Sequence, residues 1–90
     1  MNTRFNRALK SAKLGGNGIG DEGTTALSEA LKSNSTLEEL KLLGNEIGAA
    51  GAQSLADMLQ FNRVLTSLDL YGNEIGAGGA EAIAAALPQS

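Results

Sequence analysis

Residues 36–59 read TLEELKLLGNEIGAAGAQSLADML, residues 64–87 read VLTSLDLYGNEIGAGGAEAIAAAL, and residues 8–31 read ALKSAKLGGNGIGDEGTTALSEAL. Each stretch lies 28 residues from the next. Between 36–62 and 64–90, thirteen of twenty-seven positions are identical, including an unbroken GNEIGA. Eight positions hold the same residue in all three copies: Leu9/Leu37/Leu65, Leu14/Leu42/Leu70, Gly16/Gly44/Gly72, Asn17/Asn45/Asn73, Ile19/Ile47/Ile75, Gly20/Gly48/Gly76, Gly23/Gly51/Gly79 and Leu31/Leu59/Leu87. A fixed period of this size is the mark of stacked structural units, each too small to bury its own apolar face. The copies divide the 90 residues into units at 7–34, 35–62 and 63–90 within one repeat domain.

Each unit changes period partway along. Leu40 and Leu42 alternate with Glu39, Lys41 and Leu43, as do Ala12 with Leu14 and Leu68 with Leu70 in the other copies. Alternation with period two predicts a strand. A Gly-Asn turn follows, after which Ala52, Leu55, Ala56 and Leu59 fall at helical spacing. Thr24, Leu27, Ser28 and Leu31 repeat that stripe, as do Ala80, Ile83, Ala84 and Leu87, and Pro88 then ends the last helix. Phe5-Asn6-Arg7 stands before Ala8 as Phe61-Asn62-Arg63 stands before Val64. Residues 1–6 therefore read as the remnant of a preceding unit, and neither end of the chain resembles a capping repeat.

The pattern LxxLxLxxNxIG, carried by Leu37, Leu40, Leu42, Asn45, Ile47 and Gly48, resembles the leucine-rich repeat family. The unit length and the full helix resemble its ribonuclease-inhibitor-like subclass, which includes repeats of NOD-like receptors and Ran GTPase-activating proteins. The resemblance spans about Arg7 to Pro88. It implies an α/β solenoid, a horseshoe segment with parallel strands on the concave face and helices on the convex face. Ala12 stands where the family pattern has Leu, so a thinner core is expected in the first unit. Independently of the family, Asn17, Asn45 and Asn73 bring amide donors and an acceptor into each bend, where regular pairing stops. The glycines permit backbone angles and close approaches that a Cβ would block.

Composition narrows the function. The sequence has no His and no Cys, so it offers neither the usual base nor a thiolate nucleophile, and no disulfide framework. Ten acids follow from Asp21 onward against Lys32, Lys41 and Arg63, whereas Arg4, Arg7, Lys10 and Lys13 precede them. The basic opening segment reads as a solvated helix end and first strand. An acidic body is a poor match for phosphate backbones, and nucleic acid is not expected as a partner. No apolar run is long enough to span a membrane, nor is there a hydrophobic leader, which together suggest the cytoplasm. The triplet Asn34-Ser35-Thr36 fits a glycosylation sequon, which is common by chance.

Two motifs reduce to structure. Gly18-x-Gly20-x-x-Gly23 spells a dinucleotide fingerprint, but Gly20 and Gly23 recur in every copy while Gly18 becomes Glu46 and Glu74. No cofactor is expected. Stacking places Glu46 beside Glu74, and both read as solvated carboxylates at the rim rather than as metal ligands.

What remains is surface. Ser11, Lys13 and Gly15, Glu39, Lys41 and Leu43, and Ser67, Asp69 and Tyr71 alternate with core positions and vary between copies. The resemblance implies that they face the concave side, where a protein partner would be read. Tyr71 with Leu43 beside it is the expected anchor, because aromatic side chains give large contact area at low entropic cost. The expected function is a non-catalytic protein-interaction module. The alternatives are an enzyme regulator, activating a GTPase or inhibiting a ribonuclease, and a spacer within a longer array. Exposed leucine and alanine layers at the ends also point to end-to-end self-association or a marginal fold in isolation.

Overall fold

The computed structural model describes residues 10–86. Three units follow one another as β1 (Ser11–Lys13), α1 (Gly20–Leu31), β2 (Glu39–Lys41), α2 (Ala49–Phe61), β3 (Ser67–Asp69) and α3 (Gly76–Ala86). Parallel neighbours need a long crossover, and each helix supplies it. The sheet order is β1-β2-β3, with Ser11, Glu39 and Ser67 in one rung and Lys13, Lys41 and Asp69 in another. Register therefore advances by one repeat per strand.

The regular strands are short, but pairing runs past their ends. The N–H groups of Leu14 and Gly16 donate to the carbonyls of Lys41 and Leu43 at 2.9 and 2.8 Å. Those of Leu42 and Gly44 donate to Asp69 and Tyr71 at 2.8 and 3.0 Å. Each chain then turns out of the sheet at Gly16, Gly44 or Gly72, whose φ values of +73°, +61° and +79° lie in the region that glycine enters without penalty.

One apolar layer separates sheet from helices. Leu37, Leu40, Leu42 and Ile47 meet Leu31, Leu55, Met58 and Leu59 there. Side chains of this kind contribute about 1.5–3 kcal/mol each when fully buried. The middle unit, covered on both sides, is sealed, whereas Leu14, Leu68, Leu70 and Ile75 are only half-buried. Ala12 takes the place of a leucine in the row that continues through Leu40 and Leu68.

The helices also pack on each other, and here the expected stripe is corrected in one unit. Ala52 and Ala56 are buried against α3, and Thr24 and Ser28 occupy the equivalent positions on α1. Ala80 and Ala84 are exposed, because those positions face along the stack and no further helix lies there among the described residues. Close approach is made possible by Gly79, where an added Cβ would lie 3.0 Å from Cβ of Ala52. Leu9, Leu87, Pro88 and the remnant assigned to residues 1–6 lie outside the described residues.

Candidate functional site

The exposed sheet face is a small grid. Strand geometry puts neighbours about 4.8 Å apart across the rungs and about 6.6 Å apart along each strand at every second residue. The first rung holds Ser11, Glu39 and Ser67, and the second Lys13, Lys41 and Asp69. Gly15, Leu43 and Tyr71 follow on the extension of the strands, where Gly16 and Gly44 still bond to the next coil. All eight candidate binding residues, Ser11, Lys13, Glu39, Lys41, Leu43, Ser67, Asp69 and Tyr71, thus fall on one continuous surface. Tyr71 is 80% exposed, while Leu43 is half-buried beside Gly15, whose missing side chain leaves one flank of Leu43 uncovered.

Polar contacts on this face are local. The Ser11 hydroxyl donates to Oε1 of Glu39 at 2.7 Å, and Lys41 Nζ lies 3.7 Å from Oε2 of the same carboxylate. The Ser11 hydrogen bond holds the Glu39 carboxyl below its usual pKa, opposed by slight desolvation and assisted by the charges of Lys41 and Lys13. The Asp69 carboxylate accepts the N–H of Tyr71 at 3.1 Å and so fixes the backbone beneath the ring. At the edge, Lys10 pairs with Glu38 at 3.5 Å, an exposed pair of little energetic weight.

Behind the face runs a spine of amides. Asn45 Nδ2 donates to the Leu14 carbonyl at 2.8 Å, while its Oδ1 accepts the N–H groups of Asn17 and Ile19 at 2.8 and 3.3 Å. Asn73 does the same for Leu42, Asn45 and Ile47 at 2.7, 2.8 and 3.0 Å. A second series is one that the sequence pattern alone does not bring forward. Buried Asn62 donates to the carbonyls of Leu31 and Asn34 at 2.8 and 3.1 Å and accepts from Val64 and Leu65 at 2.8 Å each. Asn34 accepts from Thr36 and Leu37 in the same way. Asn recurs at 6, 34 and 62, and this periodicity was the available signal.

The rim opposite carries a recess of about 380 Å³, bordered by Asp21, Glu46, Asn73 and Glu74 among others. Glu46 and Glu74 are neighbours there, as their common position requires, and both are exposed. Glu46 keeps a left-handed backbone, φ +61°, matching Gly18 at φ +60°. Asp21 is not an open ligand group: its Oδ1 accepts the N–H groups of Gly48 and Gly51 at 2.7 and 2.9 Å and caps α2 from the preceding coil. Among the described residues no group of three or more His, Cys, Asp or Glu is arranged to hold a metal ion. Among the same residues no helix is long and apolar enough to cross a membrane.

Strand–turn–helix coils in parallel register, sealed by leucines and joined by in-line asparagines, define a leucine-rich solenoid. The chain belongs to the leucine-rich repeat family: the profile described as "Leucine Rich repeat" matches residues 5–28, 33–56 and 61–84. Among solved structures it is similar to "Leiomodin-1 Actin-Binding Site 2 (ABS2)", with a TM-score of 0.81 and 28% sequence identity. That likeness covers 86% of this chain and 45% of the other, so the chain spans less than half of that neighbour's length. Comparison with the curated proteins gives no match.

Proposed function

We propose that this chain is a non-catalytic protein-interaction module that recognises a protein partner on its concave sheet face. The observation that carries this is Tyr71: a large aromatic side chain, 80% exposed, on a face whose residues differ from coil to coil while the residues behind it repeat. Packing fixes the repeated positions, and the variable ones are free to be read. The absence of His and Cys from the sequence supports a role without catalysis, and the lack of Cys also fits a cytoplasmic setting. The 28-residue step and helices of 11 to 13 residues favour the ribonuclease-inhibitor-like subclass. An enzyme regulator of that kind would act through the same face.

Affinity capture followed by mass spectrometry tests the assignment, with Tyr71→Ala and Asp69→Lys as comparison baits. Partners held by the unaltered chain are expected to be lost from both variants. Retention of every partner would favour a spacer instead. Actin is a second, narrower reading, favoured by the likeness to a solved actin-binding site of leiomodin-1. Co-sedimentation with purified actin decides it: pelleting that disappears with Tyr71→Ala supports actin, and no pelleting removes it.

A further inference from the structure

The charges on the sheet face are not evenly spread. Lys13 and Lys41 stand directly opposite each other in the β1–β2 register. Like charges so placed on neighbouring strands repel and cost stability. Lys41 shares the Glu39 carboxylate, which is itself engaged by Ser11, and among the described residues Lys13 has no carboxylate within ion-pair distance. Asp69, next in the rung, turns an oxygen to the N–H of Tyr71. The β1–β2 half of the face therefore keeps an uncompensated positive charge on a chain whose net charge is -3. One strand step beyond it lie Leu43 and exposed Tyr71.

Resting on the assignment of this face as the binding surface, we propose that its partner is an extended acidic–apolar peptide segment. A carboxylate of that segment sits between Lys13 and Lys41, and a bulky aliphatic side chain two residues away lies against Leu43 and Tyr71. The spacing agrees: side chains two apart on an extended peptide are about 6.6 Å apart, which is also the step from Lys41 to Leu43 along the strand. The carboxylate relieves the lysine–lysine repulsion, and the aliphatic group covers the exposed ring. Nucleic acid also carries anions, but it brings a dense row of phosphates toward an acidic body and has no aliphatic group for Leu43.

Fluorescence anisotropy with synthetic peptides of Glu-Thr-Leu-Thr repeats tests this. The controls are the same repeats with Lys for Glu, the same repeats with Ser for Leu, and an RNA oligonucleotide. The Glu–Leu peptide is expected to bind roughly tenfold more tightly than either altered peptide, a difference of about 1.4 kcal/mol. The preference should fall as salt is raised, because exposed charges are screened. Lys13→Glu with Lys41→Glu should reverse it toward the Lys–Leu peptide, and Lys13→Ser alone should weaken it. Preference for the Lys–Leu peptide or for RNA by the unaltered chain, lost with Tyr71→Ala, would overturn the acidic assignment but leave the face as the binding surface. If no peptide binds, or if binding ignores Tyr71→Ala, both fall together.

Discussion

Ser28 and Thr24 lie buried between α1 and α2, and their hydroxyls have no hydrogen-bond partner there. The next coil solves the same packing problem with Ala56 and Ala52. A buried hydroxyl without a partner forfeits its hydration for nothing in return, a penalty of about 1–3 kcal/mol. Ser28→Ala should therefore stabilise the chain by about 1 kcal/mol, measured as a higher urea midpoint at unchanged slope. An unchanged or lower midpoint would mean that the hydroxyl is satisfied. The asparagines show the opposite case. Asn45 is fully buried, yet it meets partners with both its amide donors and its oxygen. The Asn17/Asn45/Asn73 series was legible in sequence because an amide repeated at a bend has few other uses. The second series was concealed: Asn34 has none of the flanking residues that Asn6 and Asn62 share.

At the scale of the elements, strands and helices were legible because the leucine spacing switches from two to helical within each unit, and nothing in the packing overrode it. Capping was not legible. Asp21 closes the first turn of α2 across 27 residues to Gly48, and the equivalent positions in the other coils are Ala49 and Ala77. A contact made once, between coils, leaves no period to detect. Gly48, whose N–H makes this contact, has φ -103°, while Gly20 and Gly76 are left-handed at +70° and +72°. Asp21→Ala should cost about 1 kcal/mol, the usual loss when a capping side chain is removed. Amide hydrogen exchange should then quicken at Gly48 and Gly51 while the helix interior is little changed. Equal acceleration along all three helices would mean that the carboxylate has a wider role than the cap.

Among the described residues the molecule behaves as a short stack in which the central layer alone is fully enclosed. Leu40 is completely buried, whereas Leu68, the same position one coil later, is half-exposed. Leu40→Ala should cost about 2–5 kcal/mol, enough to abolish a cooperative thermal transition in so small a domain. Leu68→Ala should only lower its midpoint. Circular dichroism melts compare the two, and equal shifts would contradict a nearest-neighbour stack. The binding face was legible as a set of positions, since alternation alone separates outward from inward residues. Its charge pattern was not: the opposition of Lys13 to Lys41 is visible only once the strands are in register.

The amide spine has a direction. The side chains of Asn45 and Asn73 each complete the coil before their own. Peeling the stack from its leading side leaves the backbone of the second coil served by Asn73, but takes Leu14, Asn17 and Ile19 away from the Asn45 side chain. Peeling from the trailing side strips the oxygen of Asn73 from the N–H groups of Asn45 and Ile47 and deprives the Leu42 carbonyl of its donor. Either loss breaks three such bonds, but the front bares a side-chain amide and the back bares main-chain groups, so the two ends of this stack of near-identical units are chemically unlike.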